Sequence, residues 1–305
     1  MTRIPRVLIV GASGQVGSEL RASFAGFGEI SAADRRWVDL AIPDQVRELV
    51  RRVQPDVILN AAAHTAVDRA EEEPELAFAI NAEAPRVLAE EARRRDALLV
   101  HYSTDYVFDG SKTGPWMEDD ATSPLNVYGA SKLAGEHAIQ EVAGRHLIFR
   151  TSWVYGPQGR NFLLTMLRLG RERDQLRVVD DQYGAPTTSM EVAKATHAIV
   201  HGALSGNFGE PEQWSGLYHM TCSGATTWYG FARRIFERAG SLLNGKQPHV
   251  IGVPSNEYPT AAKRPHHSVL SNALLEERFG IRLSSWEAAL DHVLCQLKTM
   301  VDNGA

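Results

Sequence analysis

The sequence predicts an α/β fold: a Rossmann-type, doubly wound parallel sheet with a smaller C-terminal substrate-binding lobe. Three observations carry this. The run Val7-Leu-Ile-Val10 ends on a glycine turn, Gly11-Ala-Ser-Gly14-Gln-Val-Gly17, which opens into a helical pattern through Ala22. From there to Thr151, strand-type apolar runs alternate with helix-period stretches, as in a parallel sheet wound by crossover helices. Beyond Trp153 the texture changes to shorter helix and strand stretches joined by polar turns, with a Pro-rich irregular run from Val250 to Pro265.

Strand, glycine turn and helix in this order present helix N-terminal amides to a pyrophosphate. Gly11 permits the tight turn, Gly14 the close approach of phosphate, and Gly17 the packing of helix on strand. The spacing is G-x-x-G-x-x-G rather than G-x-G-x-x-G, and a plain strand-to-helix turn is the competing reading. The apolar strand directly before it favours the cofactor. The second strand, Glu29 to Ala33, ends at Asp34, an acid suited to adenosine ribose hydroxyls. Arg35 and Arg36 follow and suit a 2′-phosphate instead, so NAD or NADP stays open. Asp39 reads as a cap or turn residue, or as a contact to adenine. Pro43 and Asp44 begin a helix that runs over Gln45 to Val53.

Asp56 to Asn60 is a third buried-type strand running into Ala61-Ala62-Ala63-His64-Thr65. Small residues at a strand's carboxyl end let a cofactor lie against the backbone, or let a helix pack closely. Asp68 to Glu75 reads as an acidic, solvated helix or loop. Leu76 to Arg94 reads as one long helix with Pro85 as a kink or restart. Ala97 to His101 is the next strand, and it continues into Tyr102, Ser103, Thr104 and Asp105. Hydroxyls therefore cluster at the sheet edge that carries the ligand crevice. Thr104 suits a hydrogen bond to a substrate carbonyl, or else a strand-end turn. The loop from Phe108 to Asn126 is long enough to suggest function.

Tyr128-Gly-Ala-Ser-Lys132 opens the following helix, and residues four apart share one helix face. A phenol is a poor acid, with a reference pKa of about 10. An adjacent ammonium would lower that value and give a proton donor fit for carbonyl reduction. Alone, the pair fits an ordinary exposed helix better, because Y-x-x-x-K is common by chance; the glycine turn and the strand-end hydroxyls raise its weight. His146 to Arg150 is the last strand of the alternation. Past it come a helix over Asn161 to Arg173, a strand at Leu176 to Val179 and a polar turn from Asp181 to Thr187. Met190 to His201 reads as a helix packing back on the sheet. A strand at Leu217 to Met220, a helix over Thr227 to Ala239 and two amphipathic helices near Ser271–Phe279 and Trp286–Met300 complete the chain. Residues 1–152 are thus expected to form a dinucleotide-binding body, with later returns near 176–202. Residues 153–305 form mainly the interleaved lobe.

Composition narrows the partners. At 305 residues, 44% hydrophobic and 23% charged, the chain can bury a sizeable core as an ordinary globular protein. A net charge of -5 without a basic block argues against nucleic acid. No apolar run is long enough to span a bilayer, and Met1 to Arg6 leads into the first strand without a signal-peptide core. Cys222 and Cys295 lie far apart and form no metal-type spacing. These features predict a reducing, cytoplasmic setting with no membrane partner and no structural zinc.

Gly11/Gly14/Gly17, Asn60-Ala-Ala-Ala63, Thr104 and Tyr128-x-x-x-Lys132 stand in the order of the extended short-chain dehydrogenase/reductase superfamily. Longer peptides resemble the dTDP-4-dehydrorhamnose reductase family over nearly the whole chain. They are His64-Thr-Ala-Val-Asp68, Tyr102 to Gly110, Arg150 to Gly156, Asp181 to Thr187, and Arg264-Pro265. The resemblance implies reduction of the C4 ketone of dTDP-4-dehydro-β-L-rhamnose to dTDP-β-L-rhamnose by NADPH or NADH, a step towards bacterial surface polysaccharide such as lipopolysaccharide. It implies Tyr128 as acid/base, Lys132 as holder of the nicotinamide ribose, and Thr104 in place of the usual serine. It lines the cofactor with Gly11, Gly14, Gln15, Val16, Gly17, Asp34, Asp39, Leu40, Ala62, Ala63, His64, Thr65 and Tyr102. It gives the sugar nucleotide to Thr104, Asp105, Tyr106, Trp153, Asn161 and Arg264. Some members bind Mg2+ near a homodimer contact, and no local acid cluster here supplies its ligands. Two readings compete. A related epimerase or dehydratase shares the cofactor loop and the Tyr/Lys pair. A non-catalytic subunit like that of methionine adenosyltransferase shares the whole fold.

Overall fold

Side-chain alternation along the first strand sorts the core into two layers. A computed structural model describes residues 4–302. Residues 1–3, part of the N-terminal stretch read above, and residues 303–305, the end of the expected lobe, lie outside the described residues. Strand β1 (Arg6–Val10) leads through the glycine turn to α1 (Gln15–Ser23), β2 (Glu29–Ala33), α2 (Pro43–Val53) and β3 (Val57–Asn60). Short helices α3 (Val67–Ala70) and α4 (Pro74–Phe78) precede α5 (Ala84–Arg94), β4 (Leu98–Thr104), α6 (Val127–Val142) and β5 (His146–Thr151).

Val7 and Ile9 of β1 join one apolar layer, with Leu20 of α1. Leu8 and Val10 join the other, with Val46 and Leu49 of α2, Val87 and Leu88 of α5, and Ile139 of α6. Each such fully buried aliphatic side chain contributes roughly 1.5–3 kcal/mol. The parallel sheet runs β2-β1-β3-β4-β5-β10, where β10 is Gly216–His219. Because β1 lies between β2 and β3, successive strands are laid down in opposite directions from it. The crevice beyond the carboxyl ends of β1 and β3 is therefore the expected ligand site.

In the second half, β6 (Val154–Tyr155), α7 (Phe162–Glu172), β7 (Gln175–Val179), β8 (Tyr183–Gly184) and β9 (Thr187–Thr188) precede α8 (Ser189–Leu204). Then come α9 (Pro211–Trp214), β10, β11 (Thr226–Thr227), α10 (Trp228–Ala239), β12 (His249–Val253), α11 (Ala273–Phe279) and α12 (Trp286–Asp302). Leu163 and Leu167 of α7, Phe231 and Ile235 of α10, and Leu290 and Val293 of α12 build a separate core.

One expectation changes and another is refined. The returns to the sheet are α8, β10 and α11, whose Val192, Ile199, Tyr218 and Phe279 enter the first layer. The strand at Leu176–Val179 instead pairs with β12 in the lobe. The stretch Leu76–Arg94 is helical throughout, as expected, but its irregularity is a π-helical turn over Ala79–Glu83 between α4 and α5. Pro85 has no amide hydrogen for the carbonyl of Asn81 four residues back, which breaks the α-helical ladder there. Helix α6 presses on that carbonyl: a Cβ added to Gly135 would lie 2.1 Å from it.

Candidate active site

The glycine turn and the end of β3 touch backbone to backbone. Gly11 has φ +79°, and a Cβ there would lie 2.7 Å from the Ala62 backbone. A Cβ on Gly17 would lie 2.1 Å from the Gly11 carbonyl, so helix α1 packs directly on the turn. Gly14 is exposed and is the N-cap of α1, and no side chain caps that first turn. Its amides face the crevice with the positive end of the helix dipole, a cradle suited to a pyrophosphate. The tight turn expected of Gly11 and the helix packing expected of Gly17 are present, and the open N-terminus at Gly14 fits the pyrophosphate of a dinucleotide.

Around it, Gln15 accepts a hydrogen bond from Asn161 at 2.9 Å, and Val16 is half-buried. Asp34 is gripped by Arg36 through Nη2 at 2.7 Å and Nε at 3.2 Å. These hydrogen bonds hold the Asp34 carboxyl below its ordinary range. Asp39 is exposed and accepts from the Ala41 amide at 3.0 Å, while Leu40 is half-buried beside it. Ala62 and Ala63 are half-buried, His64 is buried and Thr65 is exposed. Tyr102 turns its side chain away from the cleft. Its hydroxyl bonds Thr196 of α8 at 2.9 Å inside the core, so what it offers the site is its carbonyl.

The start of α6 is fixed on two sides. Asn126 accepts from the Gly129 amide at 2.7 Å, and Glu71 accepts from the Val127 amide at 2.8 Å. The acidic stretch read as solvated is thus partly structural: Glu71 caps α6 and Asp68 binds Arg264. Gly129 lets the helix approach the Tyr106 carbonyl, where a Cβ would stand 2.2 Å away. Tyr128 and Lys132 then both aim at the end of β4. The Tyr128 hydroxyl meets the Thr104 hydroxyl. The Lys132 ammonium donates to the Tyr102 carbonyl at 2.6 Å and contacts His101 Nε2 at 3.1 Å.

The electrostatics correct one expectation. Burial pushes the Tyr128 phenol up to about 12, opposed by the Thr104 hydrogen bond and reinforced by the Asp105 carboxylate. Lys132 does not lower it in this arrangement. Lys132 is itself brought down to about 8 by burial, with Glu136 opposing. Asp105 is pushed up to about 7, first by burial, against hydrogen bonds from Ser268 and Thr104. Its Oδ2 is buried without a partner.

The residues expected to meet the sugar nucleotide are placed by long-range contacts. Arg264 binds Asp68 and hydrogen-bonds Tyr106, whose ring stands edge-on to Tyr128 at 5.9 Å. The loop after β4 is laced to the same segment, since Trp116 donates to the His267 carbonyl at 2.8 Å. Trp153 has φ +47°, rare for a side-chain-bearing residue. Its indole stacks on Trp228 at 3.5 Å and leaves no room for a Cβ at Gly184. Asn161 caps α7 through Oδ1, and its amide donates to Gln15 and the Gly156 carbonyl, tying the lobe to the cofactor loop.

Three features escaped the sequence reading. Buried Asn81 clamps His64 through its amide at 2.8 Å and its carbonyl at 3.1 Å, and donates to Ser131 of α6 at 2.9 Å. Buried Glu136 holds Arg150 at 2.7 Å and accepts from Ser103, locking α6 across β4 and β5. His101 lies fully buried beneath Lys132. The only signal available in the sequence was polar residues at strand and helix positions expected to be apolar. Among the described residues, no group of three or more His, Cys, Asp or Glu side chains is placed to hold a metal ion, so the Mg2+ of the resemblance finds no ligand set within one chain. No helix among them is long and apolar enough to cross a membrane.

Comparison with known proteins agrees with this geometry. Residues 5–299 match the family model described as the RmlD substrate binding domain. The dTDP-4-dehydrorhamnose reductase of Escherichia coli K12 is 46% identical over 96% of this chain and 98% of its own. A crystal structure of dTDP-4-dehydrorhamnose reductase from Bacillus anthracis str. Ames, in complex with NADP, superposes with a TM-score of 0.88 at 34% identity. It covers 96% of this chain and 100% of that one. A Clostridium acetobutylicum orthologue superposes with a TM-score of 0.87 at 37% identity, covering 96% and 99%.

Proposed function

Because this chain belongs to the dTDP-4-dehydrorhamnose reductase family, we propose that it reduces the C4 ketone of dTDP-4-dehydro-β-L-rhamnose to dTDP-β-L-rhamnose in dTDP-rhamnose biosynthesis. The observation that carries the reading is the meeting of Tyr128 with Thr104 at the carboxyl end of β4, with the Lys132 ammonium held on the Tyr102 carbonyl two residues earlier on the same strand. NADPH or NADH, when bound in the cradle of Gly11, Gly14 and α1, supplies the hydride. The NADP in the Bacillus anthracis relative supports the phosphorylated form.

The protein's own part is positioning and proton transfer. Tyr128 gives its proton to the C4 oxygen, and Thr104 donates to the same oxygen as negative charge builds there. A donor aimed at a developing oxyanion is worth about 3 kcal/mol. Lys132, held on the Tyr102 carbonyl, is placed to bind the nicotinamide ribose beside the reacting groups. The free Oδ2 of Asp105 suits a sugar hydroxyl, and Tyr106, Trp153 and Arg264 frame the sugar nucleotide. We place the enzyme in the cytoplasm, consistent with the free thiols of Cys222 and Cys295.

The test is the fall in NADPH absorbance on adding dTDP-4-dehydro-L-rhamnose, with NADH run in parallel. One dinucleotide oxidised per sugar reduced supports reduction. Turnover of a sugar nucleotide without net oxidation would assign an epimerase or dehydratase instead.

A further inference from the structure

Lys132 has three N–H bonds to place in a buried site. One goes to the Tyr102 carbonyl at 2.6 Å. A second points at Nε2 of His101, 3.1 Å away. His101 is fully buried, and its other ring nitrogen lies 3.0 Å from the side-chain amide of Asn60, its register partner on β3. Ile148 of β5 flanks it on the other side. Burial, and then the charge of Lys132, hold His101 well below the ordinary histidine range, so the ring is neutral with one N–H. A neutral ring accepts from an ammonium only through a bare Nε2. Its hydrogen must then sit on Nδ1, which requires the oxygen of the Asn60 carboxamide as acceptor. Exchanging that amide's oxygen and nitrogen moves no heavy atom and gives up only a 3.4 Å contact with the Ala62 amide.

We propose that His101, with its tautomer set by Asn60, is a positioning residue that fixes the Lys132 ammonium so that its third N–H faces the cleft. The proposal rests on the reductase reading of this site. Asn60 and His101 belong to neighbouring strands, so the sheet holds the acceptor rigidly while α6 brings the donor. The charged groups facing the pair are Glu136 on α6, which supports the ammonium, and Arg150 on β5, which binds Glu136. Tyr128 and Tyr102 complete the titratable neighbours. A hydrogen bond to the charged form favours it, so losing His101 lowers the proton affinity of Lys132 further.

The first measurement is a long-range 1H–15N spectrum of the wild-type protein labelled with 15N-histidine, His101 being assigned by its loss in His101→Gln. The expected result is a neutral Nδ1–H tautomer that does not titrate between pH 5 and 8, the interval spanning the free-histidine pKa of about 6.5. An Nε2–H tautomer, or ordinary titration, overturns the proposal. Because this spectrum uses only the wild-type protein and His101→Gln, it decides the matter even where His101→Leu does not fold. The second measurement is the pH profile of kcat. His101→Leu is expected to lower kcat on the order of tenfold and to move the alkaline limb down by about one pH unit, with dinucleotide binding retained. His101→Gln, which keeps an acceptor near the Nε2 position, is expected to recover most of kcat and the wild-type profile. A folded Leu variant with the wild-type profile, or a Gln variant no better than Leu, overturns the proposal. The Nδ1–H tautomer in a protein with no reductase activity sinks the functional reading and leaves His101 assigned.

Discussion

Arg264 grips Asp68 with its two terminal nitrogens, at 2.7 and 3.2 Å, across most of the chain's length. The pair joins the segment before α11 to the helix that follows β3, and so closes the lobe against the dinucleotide-binding body beside Tyr106 and Tyr128. Both side chains are partly exposed, so the pair adds at most about 1 kcal/mol to stability. Its value lies in where it holds the segment. Arg264→Met should leave thermal unfolding almost unchanged. A lost charged hydrogen bond from Arg264 to the bound sugar nucleotide, the role proposed for it, is worth about 1.5–3 kcal/mol, so kcat/KM for that substrate should drop on the order of tenfold to a hundredfold. Wild-type kinetics in this variant would show that the clasp is only structural.

Tyr128→Phe removes the hydroxyl proposed as proton donor and leaves the ring packed against Tyr106. Turnover should fall on the order of a hundredfold or more, the usual size of general acid catalysis. Dinucleotide affinity, followed by fluorescence titration, should persist. Near-normal turnover takes Tyr128 out of the role.

Asp105 makes stability depend on pH with a defined sign. Its folded-state pKa of about 7 lies above the ordinary carboxylate range, so between the two the native protein holds a proton that the unfolded chain releases. The advantage of the native state from this group is therefore present at low pH and is lost as pH rises towards 7. Asp105→Asn should flatten the decline of Tm between pH 5 and 8 relative to wild type. The same change removes a carboxylate that raises the Tyr128 phenol, so the phenol should titrate lower in the variant. An unchanged Tm slope would mean that Asp105 stays ionised in the fold.

The Asp34–Arg36 pair stands at the end of β2, where the proposed dinucleotide would place its adenosine. With Arg36 in place the Asp34 carboxylate is neutralised and a guanidinium stands ready for a 2′-phosphate. Arg36→Ala frees the carboxylate, which accepts a 2′-hydroxyl and repels a phosphate. KM for NADPH should rise on the order of tenfold while KM for NADH holds or improves. Equal change for both dinucleotides would place Arg36 outside the specificity site.

The sequence determined the parts of this protein that depend on neighbours in the chain. Apolar period and glycine spacing gave β1, the turn at Gly11 and α1, because a strand, a φ-positive turn and a helix each answer to local sterics. Four-residue spacing put Tyr128 and Lys132 on one helix face for the same reason. Tertiary structure alone decided what those side chains meet. Lys132 was expected to acidify Tyr128, yet its ammonium binds the Tyr102 carbonyl and His101, and burial raises the phenol instead. Asp68 and Glu71 looked solvated, yet they close the lobe and cap α6. The physical reason is that burial and pairing are properties of the packed chain. A residue's desolvation and its distant partners follow from which strands and helices come together, and no local pattern encodes them.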